Sequence, residues 1–274
     1  MKIAICQTCS GIDPDQNTAQ LVEAAATAAQ SGAVMMFTPE MSGLLDSDRA
    51  RANPKLCDEA NDKVLAGLCK AAADHQLWIA IGSLALAGEQ DDGRLVNRSF
   101  VIDAQGQIRA RYDKLHLFDV DLSTGESWRE SARYAAGTRG VIVSTPLGQL
   151  GLSICYDVRF PALYSALSGA GAELLGVPAA FTVPTGEAHW HILLRARAIE
   201  NAAYVIAAAQ SGVHEDGRQT FGHSLVIDPW GRVVLDMGQT PGVGLAEIDL
   251  DEVAKARRQI PVLDHRRPIP QIDK

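Results

Sequence analysis

Short apolar runs separated by helical patterns dominate this chain, and their order is the strongest constraint on what it can fold into. Runs at 2–8, 33–37 and 77–84 have the length and aliphatic content of buried strands. Between the first two, the stretch 16–31 is alanine-rich, carries Leu21, Val22, Ala25 and Ala29 on one helical face, and stops at Gly32. A second helix is expected over 58–75, and 96–103 with 107–112 reads as a hairpin. The second half follows the same scheme without repeating the sequence. Strands are expected at 141–144, 150–155, 173–177 and 203–209, helices at 161–169 and 187–201, and a hairpin of 222–227 with 232–236. A strand at 242–248 and a short helix at 250–259 precede a polar, proline-containing tail. Strand–helix–strand units give parallel pairs and hairpins give antiparallel ones. Mixed sheets with helices on their outer faces are therefore expected. No composition break marks a linker, so the 274 residues are read as one α/β domain, 1–274, large enough to bury a substantial core. Residues 119–140 have no sustained periodicity and are expected to be a long loop, a kind of segment that usually carries function.

Charge and cysteine content exclude several functions. The net charge is −8 and only 5% of residues are aromatic, with no basic stripe, so no nucleic-acid partner is expected. The five cysteines, at 6, 9, 57, 69 and 155, are an odd and scattered set, which suits a reducing compartment better than a disulfide framework. The N-terminal apolar stretch is too short for a signal peptide, and no stretch approaches the roughly 18 apolar residues of a membrane span. A cytoplasmic protein is expected. Cys6 and Cys9 form a C-x-x-C, but a loop rather than a helix follows, and no second pair completes a zinc site. Ser153 gives Gly-x-Ser-x-Cys, not the serine-hydrolase elbow, and is expected to be buried. His189 and His191 fall on different faces of their helix, and no metal or other cofactor is expected.

Three polar residues end apolar strands. Cys155 closes the run from Leu150 to Ile154 just before a helix at Pro161, Glu40 follows Phe37, Thr38 and Pro39, and Lys114 follows Tyr112 and Asp113. A cysteine near the positive end of a helix dipole has its thiolate favoured. Amide hydrolysis needs a nucleophile, a proton carrier and positive charge at the developing oxyanion. Cys155 supplies the first. Glu40 can act as base and then acid, with burial expected to raise its pKa. Lys114 and the backbone N–H of Tyr156 can hold the oxyanion. Taken singly, Cys155 could be a small core residue, Glu40 a helix-start carboxylate and Lys114 a surface cation.

Together these segments resemble the nitrilase, or carbon–nitrogen hydrolase, superfamily. Phe37–Glu40, Tyr112–His116 and Ile154–Pro161 are similar to its glutamate, lysine and cysteine signatures, in the same order. The resemblance implies an α-β-β-α sandwich that pairs into homodimers and a second glutamate that orients the lysine. Glu130 takes that position here, ahead of Glu126. His116–Asp121, Ala188–Trp190, Leu194–Glu200 and Gly222–Ser224 with Asp228–Gly231 resemble the branch holding ω-amidases and deaminated-glutathione amidases. That likeness implies a small amide substrate with an α-keto carboxylate, held by Arg159 beside Phe181 and Thr185. Deaminated glutathione is the first expectation and α-ketoglutaramate or α-ketosuccinamate the second. A nitrile or N-carbamoyl hydrolase would use the same four residues with another pocket. An ion pair with Asp157 or a helix cap is the structural alternative for Arg159. His191 stands where the branch usually has glutamate, which leaves either substrate choice or a structural contact changed.

Overall fold

The computed structural model describes residues 1–88, 92–121, 125 and 127–268; Glu126 lies outside them. In the first half, β1 (Lys2–Gln7), α1 (Pro14–Gln30), β2 (Met35–Phe37), α2 (Arg49–Ala52), α3 (Lys63–His75), β3 (Trp78–Ala87), β4 (Leu95–Ile102) and β5 (Ile108–Asp113) follow one another. A connecting stretch holds β6 (Asp119–Asp121), β7 (Ser127–Arg129) and β8 (Tyr134–Ala135). The second half contains β9 (Ile142–Thr145), β10 (Gly148–Leu152), α4 (Pro161–Gly169), β11 (Leu174–Gly176), α5 (Val183–Asn201), β12 (Tyr204–Ala207), β13 (Ser211–Val213), β14 (Gln219–Phe221), β15 (Leu225–Ile227) and β16 (Val233–Asp236). It closes with β17 (Gly242–Glu247) and α6 (Leu250–Gln259).

The two halves build matching sheets. One runs β17-β1-β2-β3-β4-β5, the other β9-β10-β11-β12-β15-β16. Along both of these paths, the second, third and fourth strands are parallel and the remaining pairs antiparallel, while β8 adds a short parallel pairing to β4. Sequence alternation separates the layers. Ile3, Ile5, Met35 and Phe37 join the core shared with the second sheet, whereas Ala4, Cys6 and Met36 face Leu21, Ala25, Leu65 and Leu68 of α1 and α3. Tyr164 and Leu167 of α4, with Trp190 and Leu194 of α5, cover the second sheet. The α-β-β-α arrangement is the expected one.

Several expected boundaries move, each for a local reason. Two aspartates compete as caps before α3. Asp58 accepts from Asn61 N–H and closes a 3₁₀ turn at Glu59–Asn61, and Asp62 accepts from Leu65 N–H, so the helix starts at Lys63 rather than 58. Helix α5 starts four residues before 187, because Pro184 sits in the first turn, where its missing N–H costs nothing. The strand expected at 150–155 stops at Leu152. The strand expected at 222–227 begins only at Leu225, since Gly222 and His223 adopt positive φ. Residues 119–140 are not one loop: β6 and β7 pair, Glu130–Ala132 form a 3₁₀ turn, and β8 joins the start of β4. The β13–β14 hairpin is an addition to the sequence reading. Among the described residues no helix is long and apolar enough to cross a membrane.

Candidate active site

Glu40, Lys114, Glu130 and Cys155 converge beyond the ends of β2, β5 and β10. Lys114 Nζ donates to Glu40 Oε1 at 2.9 Å and to Glu130 Oε2 and Oε1 at 2.9 and 3.0 Å. The Cys155 thiol lies beside the Glu40 carboxylate, close enough for each to shift the other's pKa. Ala180 N–H donates to Glu40 Oε2 at 3.0 Å, and Phe118 N–H to Glu130 Oε2 at 2.7 Å. All four side chains are largely buried, which leaves one ammonium between two carboxylates.

Local backbone geometry presents the thiol. Cys155 opens a 3₁₀ turn, Cys155–Arg159, with φ of +50°, a conformation that costs about 1 kcal/mol or more for a residue with a Cβ. Two interactions hold it there. Its N–H donates to Pro178 O at 2.8 Å, and buried Asp157 accepts from Ile154 N–H (2.8 Å), Tyr112 Oη–H (2.7 Å) and His116 N–H (3.0 Å). One carboxylate thus ties the cysteine turn to the lysine segment. Asp157 is therefore not the ion-pair partner of Arg159.

The electrostatics correct two expectations. Burial pushes the Glu40 carboxyl up, but the Lys114 charge and hydrogen bonds from Lys114, Cys155 and Asn97 outweigh it. The pKa of Glu40 ends below, not above, the ordinary carboxylate value. Cys155 moves the other way: burial and the adjacent Glu40 charge raise its thiol pKa well above normal, despite Lys114. The short turn supplies too little dipole to overcome them. The resting pair is a neutral thiol beside a carboxylate. Burial alone would lower Lys114, but Glu130 and Glu40 hold its pKa well above normal.

The four groups line a cavity of about 420 Å³. Tyr156, Arg159, Phe181 and Thr185 all line it. The Arg159 guanidinium donates to His189 Nδ1 at 3.3 Å and lies 5.5 Å from the Phe181 ring centre. Thr185 Oγ1 is hydrogen-bonded to Thr182 Oγ1 at 2.8 Å. His191 lies outside the lining. It bonds Asp236 on β16 at 3.0 Å, so its exchange for glutamate changes a structural contact. His191, His223 and Asp236 hold metal-capable atoms within 4.8 Å of one another, but both imidazoles are already satisfied by Asp236. Cys6 is a core residue, its thiol pushed up to about 12 by burial, and Ser153 is buried against Tyr164 and Gly176.

Three contributors are not among the site residues expected from the sequence, although His189 falls within the family-like segment Ala188–Trp190. Asn97 Nδ2 donates to Glu40 Oε1 (3.0 Å) and Glu130 Oε1 (3.2 Å), spanning both carboxylates. Gln210 Nε2 donates to Glu40 O at 3.0 Å and fixes the backbone beneath the acid. His189 props Arg159 from α5. Asn97 is legible only from strand register, because Lys114 N–H donates to Asn97 O across β4 and the end of β5.

A thiol, a carboxylate beside it and a fixed ammonium in one cavity are the kinds of group that amide hydrolysis requires. The carbon-nitrogen hydrolase family model matches residues 2–258, and the chain belongs to that family. It is 39% identical over 269 residues to the deaminated glutathione amidase of Yersinia enterocolitica, covering 97% of this chain and 92% of that one. The human deaminated glutathione amidase is also 39% identical, with 97% and 82% covered. The crystal structure of the Caenorhabditis elegans NitFhit protein superposes with a TM-score of 0.90 at 40% identity, over 97% of this chain and 65% of that longer one.

Proposed function

We propose that this carbon–nitrogen hydrolase is an amidase for a small ω-amide bearing an α-keto carboxylate, with deaminated glutathione as its principal substrate. The observation that carries the reading is the buried Cys155–Glu40–Lys114 contact set opening onto the cavity that Arg159 lines. The names of the relatives support the same substrate class.

In this mechanism the thiol proton moves to Glu40 as Sγ bonds the amide carbon, and the oxyanion is held by Lys114 Nζ and Tyr156 N–H. Moving that proton within the pair leaves the net charge of the buried site unchanged, which makes a raised thiol pKa compatible with attack. Glu40 then gives the proton to the departing nitrogen as the C–N bond breaks. A water gives a proton to Glu40 and attacks the thioester. The C–S bond breaks, Sγ recovers the proton, and the acid leaves. Glu130 positions Lys114, and the Arg159 fork binds the α-keto carboxylate over Phe181.

Deaminated glutathione and α-ketoglutaramate donate the same acyl group, so both give one adduct mass on Cys155 and differ only in rate. Rapid-quench electrospray mass spectrometry is expected to show faster acylation by deaminated glutathione. Cys155→Ala is expected to lower turnover by at least about 10³-fold with its circular dichroism unchanged. Absence of adduct and of hydrolysis with both substrates would overturn the reading in favour of a nitrile or N-carbamoyl hydrolase. We place the protein in the cytoplasm, consistent with its five free cysteines. We also propose that it pairs into dimers through the apolar face around Ile192 and Ile199 of α5, with Trp230, Val233 and Val234.

A further inference from the structure

We infer that Arg218 and Trp128 form a second carboxylate subsite in the same cavity, which binds the leaving group rather than the acyl group. This rests on the amidase reading above. Arg218 lies in the turn between β13 and β14, and its guanidinium carbon stands 4.8 Å from the centre of the Trp128 ring. Both residues line the cavity.

Two donors at this one place lack acceptors. Among buried side-chain polar atoms of the described residues, only Asn97 Oδ1, Trp128 Nε1 and Arg218 Nε lack a partner. Two of those three therefore belong to this stacked pair of side chains. Each carries a desolvation cost that an incoming acceptor would relieve after a small turn of the guanidinium. Asp216 does not serve. Its carboxylate accepts from Ser47 N–H at 2.8 Å and Arg218 N–H at 3.0 Å, and stands 3.8 Å from the Arg218 side chain. Asp46, in the same lining, is taken by the Arg51 fork at 2.8 Å on both oxygens.

The two guanidiniums, both in the cavity lining, are linked through a series of neighbouring aromatic rings. Arg159 lies 5.9 Å from the Tyr156 ring, Tyr156 5.0 Å from Phe118, and Phe118 6.3 Å from Trp128, on which Arg218 rests. A ligand along those rings would carry an anion at each end and its scissile amide between them, beside Cys155. A leaving dipeptide spans roughly 7 Å, about one ring-to-ring step beyond Phe118. The chemistry selected is an amide whose amine portion ends in a carboxylate, as the cysteinylglycine of deaminated glutathione does. Ammonia, the leaving group of α-ketoglutaramate, cannot use it.

The test is steady-state kinetics of the full-length wild type, Arg218→Ala and Arg218→Lys on three substrates. These are deaminated glutathione, its glycine-carboxamide derivative and α-ketoglutaramate. Capping the glycine carboxylate is expected to lower wild-type kcat/KM by about tenfold, as loss of one charged hydrogen-bonded contact does, with the change mainly in KM. In Arg218→Ala that preference should vanish, and Arg218→Lys should recover part of it. Arg218→Ala should also impair deaminated glutathione about tenfold more than α-ketoglutaramate. Equal discrimination against the capped substrate in wild type and Arg218→Ala, or equal losses on all three substrates, would overturn the subsite and leave the amidase reading intact. Wild-type inactivity on every substrate would overturn both.

Discussion

Glu40 keeps its charge inside the protein because an ammonium, an amide and a backbone N–H all donate to it, while the thiol completes the set. The base role proposed for it depends on that charge. A carboxyl held below its usual 4.5 stays ionised down to that pH, so kcat/KM should be level from neutrality to about pH 4.5 and fall only as the pH passes below it. Replacing Asn97 with leucine removes one donor of similar size, which raises the Glu40 pKa and moves the acid limb toward neutrality. A pH–rate profile unchanged between wild type and Asn97→Leu would show that Asn97 does not tune the acid. The contrast between these residues also explains what the sequence discloses. Glu40, Lys114 and Cys155 each interrupt an apolar strand end, where a polar side chain needs a reason. Asn97 lies among the strand residues Val96, Arg98 and Ser99, and only pairing with the end of β5 gives it a purpose. The direction of both pKa shifts was hidden for the same reason, since each depends on who stands opposite and not on the residue itself.

At the scale of elements, the site depends on turns that the strands cannot hold alone. The Cys155 turn is clamped by Asp157, whose removal leaves Tyr112 Oη–H, Ile154 N–H and His116 N–H without their acceptor. Asp157→Ala should therefore cost about 2–4 kcal/mol in urea unfolding and slow acylation of the protein that remains folded. A loss under about 0.5 kcal/mol, typical of an unconstrained surface position, would discount the clamp. The Glu40 turn depends on Gly82 of β3. A Cβ there would stand 2.2 Å from Thr38 O and 2.4 Å from Pro39 O, so backbone rather than a movable side chain blocks it. Gly82→Ala should displace Glu40 and lower kcat by at least about tenfold, in the way a small misplacement of a catalytic group does. Retained kcat would mean that the turn absorbs the methyl group without moving the acid. The helices α4 and α6 were legible to the residue, since their expected bounds coincide with the observed ones. The β6–β7 pair was not, because it is held by polar contacts. Arg129 forks onto Asp121 at 2.8 and 2.9 Å and Ser127 donates to the same carboxylate, which leaves no apolar alternation to read.

For the whole molecule, the matching strand orders mean that two similar halves meet face to face, and the segments after β2 and β10 carry Glu40 and Cys155 to one cavity. Each half contributes part of the cavity wall, Glu40 and Lys114 from the first and Cys155 and Arg159 from the second. The sequence carried this scheme in the order of its elements, although no residue pattern repeats. It did not carry the outer surface, where exposure is decided by what packs against each helix. On α5, Ile192 is 71% and Ile199 51% exposed, and they lie seven residues apart, on one helical stripe. Trp230, Val233 and Val234 add half-exposed apolar surface, and the Ile199 side chain reaches Gly231 between them. Such a patch is costly to leave in water and is suited to the core of a two-fold interface, which needs about 800 Å² from each partner. Wild-type protein should therefore sediment at twice its 29.3 kDa chain mass at micromolar concentration. An Ile192→Asp, Ile199→Asp double variant, which alters no buried residue, should sediment as single chains with the same circular dichroism. A wild type that sediments as single chains, or a double variant that still pairs, would place the contact elsewhere or remove it.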